Sequence, residues 1–186
     1  MNEKLIVEQC QKWVNDLVVG LNFCPFAKKE VINNTVRYQV GQDLDDEKAL
    51  TLLAEELQYL QNHPDVETTL VILADGYAFF DDYLDLLDLA QQWLKMTKLE
   101  GVFQIASFHP DYCFADTSAE DVSNYTNRAP WPILHILREE SMTRAVSAHP
   151  DPEAIPERNI ELCEQKGRQF FIDYLASIHP SNKNKP

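Results

Sequence analysis

The stretch TTLVILA, residues 68–74, constrains the fold most because it is β-branched or apolar without interruption. A run this short and continuous is typical of a strand that is buried on both faces, as in a parallel sheet. Two other strand-like segments occur at 35–40, where polar and apolar residues alternate, and at 102–108. Segments with helical spacing of apolar residues, 45–60 and 79–98, separate the three. Strands and helices therefore alternate along this part of the chain.

This alternation predicts an α/β protein. We expect a three-layer or two-layer sandwich around a small, mostly parallel sheet of about three strands. Two additional C-terminal helices, each led by a proline, are predicted at 132–148 and from residue 156 onward. The length fits one α/β domain, residues 1–180, followed by a disordered polar tail, residues 181–186.

The charge and the cysteine pattern exclude several classes of protein. Sixteen basic residues against thirty acidic ones give a formal charge of −14, which opposes binding to nucleic acid. No apolar run is long enough for a membrane span, and the first residues do not resemble a secretory signal. The four cysteines form no CxxC pair, so we expect reduced thiols in a cytoplasmic protein. The sequence identifies no cofactor and leaves the oligomeric state open.

The heptapeptide FHPDYCF, residues 108–114, starts at the last residue of the third predicted strand. Ligands bind outside the carboxyl ends of parallel strands, so His109 is expected at a ligand-binding edge, as acid or base, with Asp111 orienting it. The alternative is that a His-Pro pair only ends a strand. A metal site built from these two residues, Cys113 and His135 requires more coincidences, and we predict none.

The segment GLNFCPFAKKEV, residues 20–31, contains a second candidate. Pro25 suits the first position of a short helix, which places Cys24 at its N-cap. The helix dipole and Lys28 or Lys29 could then lower the pKa of the thiol and make it a nucleophile. The alternative is a small side chain packed beneath the first helix.

A third group of candidates surrounds the predicted helix at 132–148. Five of the six arginines lie between Arg128 and Arg168, and arginine is well shaped to hold a carboxylate or phosphate. The helical spacing places His135 and Arg138 on one face, with His135 near the chemistry. The predicted ligand-binding residues are Tyr125, Asn127, Arg128, Arg138 and Arg158. The alternative is that these side chains only tie down a long loop or form surface ion pairs.

Five motifs together resemble a bacterial family, domain of unknown function 1415, over nearly the whole chain. They are GLNFCPFA (20–27), SFHPDYCFADT (107–117), NYTNRAPWPILHILRE (124–139), HPD (149–151) and IPERN (155–159). The resemblance implies no activity. The chain departs from the family pattern at Cys113, where glutamine is expected, and at Asp116, where glycine is expected; the first departure weakens any metal site that uses Cys113.

These observations lead to two hypotheses. The first is a cytoplasmic α/β enzyme that acts on a small anionic metabolite, with His109, Asp111, His135 and Cys24 as catalytic candidates. The second is a non-catalytic module that binds a small molecule or a protein, in which the same residues anchor loops.

Overall fold

A computed structural model describes residues 2–179, so the predicted tail at 181–186 lies outside the described residues. Four strands form one sheet in the order β1–β2–β4–β3. The strands are β1 (Val36–Gly41), β2 (Thr68–Leu73), β3 (Phe103–Phe108) and β4 (Ile133–Arg138). The helices are α1 (Glu3–Trp13), α2 (Ala27–Ile32), α3 (Asp46–Asn62), α4 (Phe80–Met96), α5 (Glu139–Ala148), α6 (Ile155–Lys166) and α7 (Arg168–Ile178). Within the described range, none of these helices is long and apolar enough to cross a membrane.

The sheet is mixed. Strands β1 and β2 are parallel, with Val36 opposite Thr68, whereas β4 is antiparallel to both of its neighbours, β2 and β3. Strands β1, β2 and β3 therefore run in one direction, and β4 runs in the other between β2 and β3. The predicted α/β class is confirmed. The predicted sheet of about three mostly parallel strands is corrected to a mixed sheet of four.

The prediction of a helix over 132–148 was wrong in its first part, because residues Ile133–Arg138 form the central strand β4. A strand that is covered on both faces shows no alternation of polar and apolar residues, and a short apolar run does not distinguish it from a buried helix. Pro132 lies directly before the strand, and its carbonyl accepts a hydrogen bond from the N–H of Leu73. Helix α5 begins only at Glu139.

Helices cover both faces of the sheet. Helices α3 and α4 pack on one face through residues such as Leu53, Leu57 and Leu86, which are completely buried. Helices α1, α6 and α7 pack on the other face, where Trp13 and Phe171 belong to the core. We call this second side the α1 face. Helices α2 and α5 contribute no buried residue to either core.

A tight turn leads the chain from α1 toward Cys24. After α1 the chain continues as a π-helical segment, Val14–Val19, which ends at Gly20. A Cβ atom at residue 20 would lie 2.2 Å from the main-chain oxygen of Asp16, so only glycine fits there. The N–H of Cys24 then bonds to the carbonyl of Val18 at 3.3 Å, which folds the loop back against the end of the helix.

Candidate functional site

A cavity of about 470 Å³ lies on the α1 face of the sheet, between α2 and α5. Strand residues that point to this face form part of its wall: Val36, Thr68, Leu70, Phe108, His135 and Leu137. Cys24 lines it from the loop before α2, and Met142 and Arg144 line it from α5. The cavity has the size of a small-molecule site, and most of its surface is apolar. It therefore brings two of the predicted catalytic residues, Cys24 and His135, to one site.

Two adjacent residues of α6 hold the loop that carries Cys24. The side chain of Asn159, in the first turns of α6, donates to the carbonyl of Phe23 at 2.8 Å, and the guanidinium of Arg158 donates to the carbonyl of Asn22. Arg158 therefore positions this loop through main-chain contacts. The prediction that Cys24 is an N-cap was wrong, since α2 starts at Ala27.

The environment of Cys24 has two opposing effects on its thiol. Burial is the larger effect and raises the pKa, while hydrogen bonds from the main-chain N–H groups of Phe26 and Ala27 favour the thiolate and lower it. The predicted lowering of the pKa by Lys28 or Lys29 is thus not observed. At neutral pH Cys24 is therefore a neutral thiol.

His135 lies on β4 and has a defined tautomer. Its Nε2 lies 2.7 Å from Oγ1 of Thr68, and this hydroxyl donates its own hydrogen to the carbonyl of Ile136 at 2.5 Å. The hydroxyl must therefore accept from Nε2–H, which leaves the Nδ1 lone pair without a hydrogen-bond partner among residues 2–179. Burial lowers the pKa of His135 to about 4, so the ring is neutral at pH 7.

Arg138 does not share a face with His135, contrary to the prediction, because residues three apart in a strand point to opposite sides of the sheet. Its guanidinium donates to the carbonyls of Leu60, His63 and Val66 at 2.6–3.2 Å. These hydrogen bonds cap the C-terminal end of α3, and they use the guanidinium N–H groups that would otherwise bind an anion.

The charged residues around the cavity are unlike the rest of the chain. Two cationic side chains, Lys29 and Arg144, and two carboxylates, Glu30 and Glu67, line it, so their formal charges balance in a chain of −14; Arg138 also borders the cavity, but its guanidinium lies on the other side of the sheet. The side chains of Lys29 and Arg144 are 79% and 65% exposed. Among residues 2–179, the polar contacts of Arg144 are with the exposed carboxylate of Glu140 and the hydroxyl of Ser141, and such surface contacts rearrange at little cost.

His109 lies away from this cavity and is completely buried. The main-chain N–H of Asp111 donates to its Nδ1 at 3.0 Å, so its Nε2–H donates to the carbonyl of Tyr77, also at 3.0 Å. The rings of Phe80 and Tyr83 each lie 5.2 Å from the imidazole. This arrangement fixes the loop after β3 and gives a substrate no access to either ring nitrogen.

Two further predicted ligand-binding residues also contact main chain, and a third, Tyr125, packs in the core. Arg128 donates to the carbonyls of Tyr112 and Ala119 at 3.0 and 2.8 Å, and its guanidinium lies over the ring of Tyr125. The amide of Asn127 donates to the carbonyl of Ser107 at 3.2 Å. Tyr125 is buried and stacks on Phe171. These contacts hold the segment to neighbouring main chain and core, and Asn127 also lines a second cavity.

The carboxyl edge of the parallel strands is acidic. Asp75, two residues after the end of β2, accepts hydrogen bonds from the main-chain N–H groups of Asp43 and Leu44 at 2.8 and 2.9 Å. A shallow hollow nearby is lined by Asp45, Asp46, Asp82 and Asp85. Carboxylates repel an anionic ligand, so this edge does not suit the ligand class predicted from the sequence. Across residues 2–179, no group of three or more His, Cys, Asp or Glu side chains could hold a metal ion.

The sequence analysis did not identify Thr68, Lys29 or Arg144 as residues of this cavity. Thr68 appeared only as part of a buried strand, and its role depends on the pairing of β2 with β4, which no local pattern predicts. Arg144 lies on the same side of α5 as Ser141, Met142, Ala145 and Ala148, and this i, i+3, i+4 spacing was the available signal.

Comparisons with known proteins give a match to one protein family. Neither the curated proteins nor the solved structures contain a significant match. A family model described as "Protein of unknown function (DUF1415)" matches residues 5–173. This range includes Cys24, Thr68, His135 and both helices that flank the cavity. The chain therefore belongs to the DUF1415 family.

Proposed function

We propose that this protein is an enzyme that uses Cys24 as a nucleophile and His135 as a general base on a small anionic molecule with an apolar body. The observation that carries the proposal is that both side chains line one cavity of about 470 Å³. A thiol and an imidazole on one substrate site are the usual components of nucleophilic catalysis by cysteine.

The protonation states of Cys24 and His135 suit this mechanism. Burial raises the pKa of Cys24 and lowers that of His135 to about 4, so both groups are neutral at pH 7. General-base catalysis requires this combination, because a neutral thiol gives its proton to a neutral imidazole as the sulfur attacks. The hydrogen bond from Nε2–H to Thr68 keeps the Nδ1 lone pair available as the proton acceptor.

The substrate class follows from the walls of the cavity. Its surface is mainly apolar, which favours an apolar body. The exposed ammonium of Lys29 and guanidinium of Arg144 favour an anionic group at the mouth. The net charge of −14 on the whole chain opposes nucleic acid as the partner. Four free cysteines fit a reducing compartment, and we place the enzyme in the cytoplasm.

Alkylation with two reagents that differ in charge tests the proposal. The test uses a Cys113→Ser background, which removes the other partly exposed thiol. We expect the ratio of the iodoacetate rate constant to the iodoacetamide rate constant to be higher for Cys24 than for glutathione. The double substitution Lys29→Ala/Arg144→Ala should abolish this preference for the anion. Peptide mass spectrometry locates the label. Labelling of Cys24 without any preference for iodoacetate, or no labelling at all, would contradict the proposal.

The raised pKa of Cys24 favours a second candidate, a non-catalytic module that binds the same class of molecule. The dye 8-anilinonaphthalene-1-sulfonate, which has an apolar body and one sulfonate, probes binding separately from chemistry. A pure binding module binds the dye equally well in the wild type and in Cys24→Ala, and its Cys24 does not react with iodoacetate.

A further inference from the structure

A second cavity, of about 510 Å³, meets the first at Cys24. Three residues, Val18, Cys24 and Phe108, line both cavities. The remaining wall of the second cavity comes from the loop after β3, from the turn at Val122–Thr126 and from the start of α6. Cys24 therefore lies at the junction of two spaces, each large enough for part of a ligand.

The two cavities differ in charge. No charged residue of the described chain lines the second one; apolar residues such as Phe23, Phe114 and Ile160 dominate. Its hydroxyl groups donate within the protein: Thr117 to the carbonyl of Phe114, Ser123 to Asp121, and Thr126 to the carbonyl of Ser123. The second cavity thus suits an uncharged, apolar group, whereas the ionic groups and His135 belong to the first.

From this division we infer that the substrate is an acyl ester or thioester, whose acyl chain occupies the second cavity while its leaving group occupies the first. The inference rests on the proposed nucleophilic role of Cys24 and specifies the reaction. When the carbonyl carbon of such a substrate lies at the Cys24 sulfur, its acyl chain and its leaving group point in different directions. One can then enter each cavity.

The chemistry is a double displacement that water completes. The Cys24 sulfur bonds to the acyl carbon as its proton passes to Nδ1 of His135. The bond from the acyl carbon to the leaving oxygen or sulfur breaks, and that atom takes the proton from His135. Water then attacks the acyl-cysteine, His135 transfers a proton from the water to the departing sulfur, and a carboxylic acid leaves. The net reaction consumes one ester or thioester and one water and gives one acid and one alcohol or thiol.

Acylation by p-nitrophenyl acetate, propionate and butyrate tests the inference. We expect an acyl adduct on Cys24, located by peptide mass spectrometry, and an acylation rate constant that rises by up to about fourfold for each added methylene that becomes buried. The release of p-nitrophenolate gives the rate. Cys24→Ala should show neither the adduct nor the gain with chain length.

A matched pair of variants on α6 tests which cavity holds the chain. Ile160, which lines the second cavity, is 43% exposed, so Ile160→Trp can narrow the cavity without disturbing the core. We expect the ratio of the butyrate to the acetate rate constant to fall toward one in this variant. Its neighbour Glu161 is exposed and does not line the cavity, so Glu161→Trp should keep the gain.

The possible failures are distinguishable. Acylation of Cys24 that does not depend on chain length, or a gain that survives Ile160→Trp, overturns the inference and leaves the nucleophilic role of Cys24 intact. If no ester acylates Cys24 although iodoacetate labels it with the expected preference, the acyl substrate class is wrong. If neither reagent modifies Cys24, both the inference and the proposed function fail.

Discussion

Two adjacent threonines of β2 allow a sharp test of the hydrogen bond that orients His135. Thr68 accepts from His135 Nε2 at 2.7 Å and donates to the carbonyl of Ile136. The hydroxyl of Thr69 is also buried, but it has no hydrogen-bond partner among the described residues. The same substitution, threonine to valine, should therefore change stability in opposite directions at the two positions.

In Thr68→Val the buried Nε2–H of His135 loses its acceptor. An unsatisfied buried donor costs about 1–3 kcal/mol, and valine keeps the β-branched shape that suits a strand. We expect the free energy of unfolding to fall by that amount. Thr69→Val removes a hydroxyl that is already unsatisfied, so we expect an unchanged or higher stability, by up to about 1 kcal/mol.

Urea denaturation, followed by tryptophan fluorescence and circular dichroism, measures both changes. The m-value should stay constant, so that the shift in midpoint reports stability. Equal destabilisation by both substitutions, or a neutral Thr68→Val, would refute the hydrogen bond between Thr68 and His135. The same variants separate orientation from stability at the site, because only Thr68→Val should slow the alkylation of Cys24.

Two further predictions concern His135 and the Cys24 loop. The pKa of His135 is about 4 in the folded state and 6.5 in an unfolded chain, so the unfolded state binds an extra proton between these pH values. The free energy of unfolding should fall as the pH drops through this window, by at most about 3 kcal/mol. His135→Leu should remove that part of the pH dependence, as measured by urea titrations at several pH values. If the slope of unfolding free energy against pH is the same in His135→Leu and the wild type, the burial of a neutral ring is contradicted. Asn159→Ala on α6 removes the hydrogen bond to the Phe23 carbonyl in the Cys24 loop. We expect it to lower the free energy of unfolding by about 1–2 kcal/mol and to alter the alkylation rate of Cys24. Glu157 is exposed on the same helix, so Glu157→Ala should change neither quantity.

Local sequence patterns were sufficient for much of the fold. The apolar spacing along 45–60 and 79–98 predicted α3 and α4, and the continuous run at 68–74 predicted β2. The pattern failed at β4, because a central strand covered on both faces is as uniformly apolar as a buried helix. That single error also placed His135 and Arg138 on the same side.

The candidate site was predictable in part. Cys24 and His135 were both identified from the sequence, but their common cavity depends on β4 lying between β2 and β3, which is a non-local pairing. The arginines were harder to interpret, because a guanidinium that binds main-chain carbonyls and one that binds an anion look the same in a sequence. Arg128 and Arg138 contact carbonyls, whereas Arg144, which no motif marked, reaches the mouth of the cavity.

The central claim is that His135 activates Cys24, and the rate of Cys24 alkylation by iodoacetamide at pH 7 tests it most directly. His135→Gln keeps an amide that can donate to Thr68 but provides no base, and His149→Ala is the control, since His149 packs on Phe26 beside the same loop. We predict that His135→Gln lowers the rate constant by about 100-fold or more, in the range for loss of a general base, while His149→Ala leaves it unchanged. Equal rate constants in the wild type and His135→Gln would contradict the account.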